Sequence, residues 1–327
     1  MNSVLTLSKL LLSDNTKLIN IDQYLECNIT QFRINVSKFL ANDYDCLINK
    51  ILNITNNTQY HSCRFIFDLP FPYRKSRIVK MLEPCWEVDR GQQIHLKQWE
   101  DHNPIVSTDV YLDDLNFSID IGDEIYFADG YGLLVCENKI KSEIILTAKN
   151  KFKIYEGKSF STGATRNSQA EKLFDLCRKI TTLIDNPIFA LSFLENEKDI
   201  DLFCQKIKCA PESILIKIET QKGVDNISNL VPKCGGVILG RGDLLYYAKP
   251  KDFFFNCNKI ANTTIKQNKS FYLCTDILNS LIEHNIPTRA ELTDVFYYKS
   301  LGCENFILPA GFSIKGNLKK AIEIINY

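Results

Sequence analysis

Apolar and polar positions change period several times along this chain, and the changes lay out its elements. Val4 to Leu7 reads as a first strand, and Ile19 to Glu26 carries apolar residues at helical spacing. In ITQFRINVSKF, Phe32, Ile34 and Val36 alternate with Arg33, Asn35 and Ser37, so three polar groups share one face of a strand. That face is either the wet side of a half-exposed antiparallel sheet or, in a parallel barrel covered on both sides, a row of groups needing a ligand, an ion or another side chain. A helix over Tyr44 to Asn53 leads to CRFIFDLPFPYRKSR, predicted as a buried strand that ends at Asp68 and is broken by Pro70 and Pro72.

From about Arg74 to about Ser159 the texture changes. Short alternating runs, QQIHLKQW, DEIYFADG, YGLLVCE and SEIILTA, are separated by turn residues, which predicts a small all-β insert. Beyond it, the helical pattern SQAEKLFDLCRKI, the strand IFALSF and the helical EKDIDLFCQKI follow in turn, then a long segment around Lys251 to Ile265 and the strand SFYLCTD. A helix NSLIEH, a turn NIPTRAELTDVFYYKSLG, the run ENFILPAG and a final helix to Ile325 complete the chain. Strand then helix at intervals of about 25 to 30 residues is βα repetition, with units enough for eight. The pattern predicts the α/β class and would suit a (β/α)₈ TIM barrel carrying a small all-β domain.

One stretch of that pattern also carries candidate chemistry. LIKIETQKGVDNISNLVPKCGGVILGRGD reads as strand, helix, strand, with a carboxylate ending each strand, Glu219 and Asp243. Lys217 and Glu219 are two apart and share a strand face. At the C-terminal ends of barrel strands, where such folds place their chemistry, Glu219 and Asp243 suit one hard divalent cation, with the Lys217 charge aimed at the same spot. Asp68 joins them by the same rule. The plainer alternative for each is an ordinary polar strand end. Thr288-x-x-Glu291 fits a capping box, and Asp129 in FADG fits a turn. His61, His95, His102 and His284 show no spacing for metal or triad work and read as surface or loop residues.

Composition narrows the partners. Lys plus Arg and Asp plus Glu number 39 each, so no bulk charge points to nucleic acid or to an anionic membrane. The 45% hydrophobic and 24% charged content suits a soluble globular chain. The 12 cysteines are scattered, without C-x-x-C, and are expected to be reduced. The N-terminal apolar run is too short to span a membrane and lacks a signal-peptide pattern, so the expected compartment is the cytoplasm.

FRINVSKF, DEIYFADGYGLL, LIKIETQKGVDNI, GVILGRGDL and SFYLCTDILNSLIEHNIPTRAELTDV resemble five motifs of the pyruvate kinases, in the family's order and with its spacing. The resemblance runs over nearly the whole chain. It implies a barrel of residues 1–73 and 160–327, with residues 74–159 forming a β-barrel-like lid domain inserted after the third strand. It implies Mg²⁺ or Mn²⁺ on Glu219 and Asp243, and K⁺ on Asn35, Ser37, Asp68 and the carbonyl of Leu69. Lys217 and Arg33 would contact the phosphoryl group and the enolate, with Thr275 near the methyl carbon. The nucleotide would meet Arg74, Lys75 or Arg77, and Lys38 where the family has histidine. Departures cluster there: LSKLLLS replaces the family's first-strand loop, DLPFPYRKSR its D-T-K-G-P-E-I-R, and LPAGFS its S-G-E-T-A. The chain stops at Tyr327, where the family's C-terminal regulatory domain would follow, so that domain is expected to be absent. The implied function is a phosphotransferase acting on phosphoenolpyruvate or pyruvate, with an altered nucleotide or acceptor. A metal-dependent lyase or aldolase acting on a 2-oxo acid enolate is the alternative, and a non-catalytic binding descendant the third reading. Substrates are small molecules, and a homo-oligomer is left open.

Overall fold

The computed structural model describes residues 1–13, 19–39, 41–57, 60, 62–100, 106–115, 119–128, 130–140, 142–161, 165–248 and 250–327. Asp129, His61 and His102 lie outside the described residues. The chain begins with β1 (Asn2–Leu7), α1 (Lys9–Leu12), α2 (Asp22–Leu25), β2 (Gln31–Asn35), α3 (Tyr44–Thr55) and β3 (Arg64–Arg74). Next come β4 (Ile78–Lys80), β5 (Cys85–Val88), β6 (Gln93–Gln98), β7 (Asp109–Leu112), β8 (Glu124–Phe127), β9 (Gly132–Ile140), β10 (Glu143–Ala148), β11 (Phe152–Tyr155) and β12 (Thr165–Arg166). Then follow α4 (Ala170–Leu183), β13 (Ile188–Ser192), α5 (Glu197–Ile207), β14 (Ile214–Ile218), α6 (Gln221–Asp225), α7 (Ile227–Leu230), β15 (Gly236–Gly240) and α8 (Arg241–Tyr247). The last elements are α9 (Phe253–Lys266), β16 (Ser270–Cys274), α10 (Ser280–Glu283), α11 (Arg289–Ser300), β17 (Asn305–Leu308) and α12 (Leu318–Asn326).

Eight parallel strands close on themselves in the order β1, β2, β3, β13, β14, β15, β16, β17 and back to β1. This is a (β/α)₈ barrel with a small all-β domain inserted after its third strand. Contacts divide the chain into two units, one of Met1–Pro72, Asn167–Leu244 and Lys251–Tyr327, the other of Tyr73–Arg166 and Leu245–Pro250. Leu245–Pro250 groups with the β unit because the Tyr246 ring packs on Tyr126 at 4.8 Å between centroids, and Gly130 leaves the space that Tyr246 fills. Within the β unit, strands run β4, β7, β6, β10, β9, β8 across one sheet, with β11 and β5 paired apart. No helix among the described residues is long and apolar enough to cross a membrane.

The barrel interior shows how period two builds a site. Val4, Ile66, Ala190, Leu215, Ile238, Tyr272, Cys274 and Ile307 form a buried apolar cluster drawn from seven strands, two of its members on β16. Two residues further along, on the same inward faces, stand Thr6, Asp68, Ser192, Lys217, Gly240 and Cys274. Four of these strands thus pass from an apolar residue to a polar one, Thr6, Asp68, Ser192 and Lys217, while Gly240 leaves room and Cys274 stays with the apolar cluster.

Several expected boundaries differ. Among the described residues of the segment from Ile19 to Glu26, only α2 is helical, a single turn. Ser37 is not on the β2 strand face but in a 3₁₀ turn, Val36–Lys38. β3 does not break at the prolines: it runs on to Arg74, because proline's fixed φ suits extended backbone and the missing N–H groups fall where pairing with β13 skips from Leu69 to Pro72. The segment expected as a turn at 285–302 is mostly α11, begun by a complete Thr288–Glu291 capping box.

Candidate active site

Arg33, Asp68, Lys217 and Glu219 meet near the ends of β2 and β14, where β3 passes Asp68 on its way to Arg74. Arg33 donates from Nε and Nη2 to Asp68 Oδ2, at 2.9 and 2.5 Å, and from Nη1 to Thr6 Oγ1 at 3.2 Å. Lys217 Nζ lies 3.3 Å from Asp68 Oδ1 and 3.0 Å from Glu219 Oε1, and donates to Ser192 Oγ at 3.2 Å. The other oxygen of Glu219 accepts the Phe193 N–H at 2.9 Å. Phe193 has φ 54°, so a left-handed residue just past β13 turns this donor onto the carboxylate. Gly240 is required opposite: a Cβ there would stand 2.5 Å from Glu219 Cγ.

Electrostatics follow from this packing. Burial works against both cations, but Asp68 outweighs it at Arg33, and Asp68 with Glu219 outweighs it at Lys217, so both pKa values rise and both charges are kept. Burial likewise disfavours ionised Asp68, yet Lys217 and Arg33 hold its carboxyl below the usual range. The Glu219 carboxyl is pushed up, first by burial, against the pull of Lys217 and with Asp243 and Asp68 adding to the rise. Asp68, Glu219 and Asp243 thus act together on two cations, Arg33 and Lys217. Carboxylate oxygens are hard donors of the kind Mg²⁺ and Mn²⁺ take, so Glu219 and Asp243 fit a divalent ion.

Asp243 does not end a strand as expected. β15 stops at Gly240, and Asp243 sits in the first turn of α8, close enough to act on Glu219 and Lys217 through its charge. Thr275 follows β16 with φ 75°, a strained backbone for a β-branched residue. Arg241 holds it there. Its Nε donates to the Cys274 carbonyl at 3.0 Å, its Nη2 to the Thr275 carbonyl, and its Nη1 to Asp294 of α11. Gly242 lets α8 approach, since a Cβ there would come within 3.0 Å of Thr275 Cγ2.

The remaining expected site residues divide by unit. In the barrel unit, Ser37 donates to Asn35 Oδ1 at 2.6 Å, Asn35 is the register partner of Asp68, Leu69 is fully buried, and Lys38 is exposed at the end of the 3₁₀ turn. In the β unit, Arg74 is ion-paired to Asp113, Arg77 donates its Nη1 to the Gly157 carbonyl at 3.0 Å, and Lys75 is half-buried between them. Sequence reasoning missed Thr6, Ser192, the Phe193 N–H and Arg241. The first two sit two residues past the apolar layer, a signal visible only once strand registers are known.

His95, read as a surface or loop residue without a metal partner, is instead on β6, its Nδ1 2.7 Å from Glu143 Oε1. Ligand atoms of His95, Asp109 and Glu143 lie within 4.8 Å of one another. Lys97 Nζ, however, stands 2.8 Å from Asp109 Oδ2 and 3.4 Å from Glu143 Oε1, so a protein cation already answers these carboxylates.

Comparison with known proteins places the chain. The family profile described as "Pyruvate kinase, barrel domain" matches residues 12–319. The pyruvate kinase of Thermotoga maritima is 26% identical over 94% of this chain and 66% of its own length. That of Methanocaldococcus jannaschii is 24% identical over 91% of this chain and 68% of its own, and that of Borreliella burgdorferi 29% over 53% and 38%. The chain thus spans about two thirds of the length of the first two relatives and less of the third. With eight strands closing the barrel, a β domain after the third, and a family match over nearly all of its residues, the chain belongs to the pyruvate kinase family.

Proposed function

We propose that the chain is a pyruvate kinase-like phosphotransferase that works on phosphoenolpyruvate and pyruvate, with Mg²⁺ or Mn²⁺ held by Glu219 and Asp243. The observation that carries this reading is the polar layer itself: two buried cations, Arg33 and Lys217, set among the carboxylates of Asp68 and Glu219, with the Asp243 charge acting on the same groups. A divalent ion there would supply Lewis-acid neutralisation of oxygens that gain charge. Phosphoryl transfer asks the protein for positioning and positive charge rather than covalent help, and Arg33 and Lys217 provide both. Asp68 and Thr6 fix the Arg33 guanidinium, and Asp68, Glu219 and Ser192 fix the Lys217 ammonium, so neither needs to reorganise as charge develops. The Thr275 hydroxyl, on a loop pinned by Arg241, is assigned to the methyl carbon of the enolate.

K⁺ is assigned to Asn35, Ser37, Asp68 and the Leu69 carbonyl, an all-oxygen set of the right hardness. The ion would share Asp68 with Arg33 and Lys217. Arg74, Lys75, Arg77 and Lys38 are assigned to a nucleotide whose contacts differ from the family pattern. Arg74 and Arg77 are engaged within the β unit, which favours weak use of ADP. No observation favours the enolate lyase, and the matched relatives are pyruvate kinases by name.

Pyruvate release from phosphoenolpyruvate, measured with Mg²⁺ and each of several nucleoside diphosphates, tests the reading. Turnover with at least one acceptor, absent without the metal, is expected. Failure to bind oxalate, an enolate mimic, in the presence of Mg²⁺ or Mn²⁺ would overturn it.

A further inference from the structure

Helix α5 ends in a way that brings two thiols together. Lys208, just past the helix, is left-handed at φ 57°, ψ 47°, and its N–H returns to the Cys204 carbonyl. The next N–H, of Cys209, reaches the same carbonyl at 3.3 Å. This is the helix ending in which the residue two past the end faces the residue three before it, usually through an apolar contact. Here both positions are cysteine, and their sulfurs lie 3.9 Å apart, with the Cys209 and Cys204 thiols hydrogen-bonded and both residues half-buried. Fold and family leave this pair without a role.

We propose that Cys204 and Cys209 are a two-thiol oxidation site that a peroxide converts to an intramolecular disulfide. Closing the sulfurs to about 2.05 Å takes side-chain rotation, while the shared carbonyl already fixes the backbone of both residues. The two partners are chemically unequal. Once ionised, Cys209 can accept from the Cys204 thiol, and this contact, against the effect of burial, brings its pKa down to about 7. Cys204, facing Cys209, is pushed well up by that contact, with burial and the charges of Asp201 and Glu212 adding to the effect. Cys177, close enough to feel a charge on Cys209, is fully buried, and burial keeps it protonated. Cys209 is therefore the nucleophile. Its thiolate attacks one peroxide oxygen, the O–O bond breaks, and the departing hydroxide takes up a proton to leave as water. The Cys204 sulfur then attacks the resulting sulfenic acid, losing its proton as a second water departs. In sum, two thiols and one hydrogen peroxide give one disulfide and two waters, two electrons passing from sulfur to peroxide. The new bond would tie down the turn that feeds β14, the strand bearing Lys217.

The full chain, reduced and then treated with one equivalent of hydrogen peroxide near neutral pH, tests this by intact mass and peptide mapping. A loss of about 2 Da mapped to a Cys204–Cys209 crosslink is expected as the first product. In the reduced chain Cys209 should alkylate at pH 7 at least ~10-fold faster than Cys204. Cys204→Ser should trap Cys209 as a dimedone-reactive sulfenic acid. Cys209 remaining alkylatable while other thiols oxidise, or crosslinking to Cys177 instead, would overturn the proposal, and the mapping on the unaltered chain needs no variant to fold.

Discussion

Lys97 and Lys217 make nearly the same local contact. Each ammonium lies within 3.4 Å of two carboxylates, Asp109 and Glu143 for the first and Asp68 and Glu219 for the second. The surroundings differ. Lys97 and its partners come from adjacent strands of one sheet, where Glu143 is the direct register partner of Lys97, and the lysine side chain stays 31% exposed. Lys217 draws Glu219 from the end of its own strand and Asp68 from β3, remote in sequence, is 13% exposed with both carboxylates at 3%, and shares Asp68 with Arg33. A contact list alone would rank the two clusters together. Burial of the lysine itself together with both of its carboxylates, at the closed end of a barrel where Arg33 shares Asp68 and the Asp243 charge also acts, is what separates a candidate site from an ion pair whose lysine reaches water.

The sharpest way to break this comparison is to remove charge from each cluster in turn. Glu219→Ala and Asp243→Ala should each lower phosphoenolpyruvate turnover by roughly 10³-fold or more, whereas Lys97→Met should stay within about twofold. Calorimetry should show Mn²⁺ binding lost in the first two and kept in the third. Unchanged Mn²⁺ affinity in both carboxylate variants would move the divalent site elsewhere.

Stability should separate the clusters next. Asp68→Asn leaves two buried cations without their shared carboxylate, at a cost of about 3–5 kcal/mol. Asp109→Asn also removes a buried acceptor, of Lys97 and of the Tyr111 hydroxyl at 3.0 Å, but Lys97 can turn to water, so the loss should be about 1 kcal/mol. Equilibrium urea unfolding measures both, and equal losses would erase the distinction. A smaller effect is expected at Arg241. Arg241→Met frees the carbonyls of Cys274 and Thr275, and kcat should fall roughly 10- to 100-fold with KM changed less, since misplacement of about 1 Å is enough for that. Arg241→Lys should recover part of it. A change confined to KM would show that Arg241 does not position Thr275.

How much of this was readable beforehand depends on the range of the contact. Lys217 and Glu219 are two apart, so period two alone put them on one face, and the Thr288–Glu291 capping box is equally local. The row Arg33, Asn35, Ser37 was only partly right, because the chain turns into a 3₁₀ helix after Asn35 and Ser37 reaches back to it by side chain. Pro70 and Pro72 read as breakers since sequence does not tell which N–H groups a neighbouring strand leaves unused. Thr6, Ser192 and the Phe193 N–H had no local signal. Each becomes a partner only through registers between strands remote in sequence, and Arg241 joins the site through loops after two different strands. His95 failed for the same reason, since its partner Glu143 arrives on another strand.

The smallest predicted effect uses pH and salt on the exposed member of the comparison. Burial alone would raise the Glu143 carboxyl, but His95 and Lys97 outweigh it and hold its pKa below the ordinary value. A carboxyl depressed on folding stabilises the native state above its unfolded pKa, about 4.3, and that contribution disappears as pH falls through the folded value. The difference in unfolding free energy between wild type and Glu143→Gln should therefore be at most about 1 kcal/mol at pH 7 and should shrink steadily below about pH 4. Because Lys97 is part-exposed, about 1 M NaCl at pH 7 should shrink it as well, by screening, while the cost of Asp68→Asn in the buried cluster should hardly move. Urea titrations at a few pH and salt values give all of these numbers. A Glu143→Gln difference that grows in acid, or an Asp68→Asn cost that salt removes, would mean that burial does not set the two lysine clusters apart.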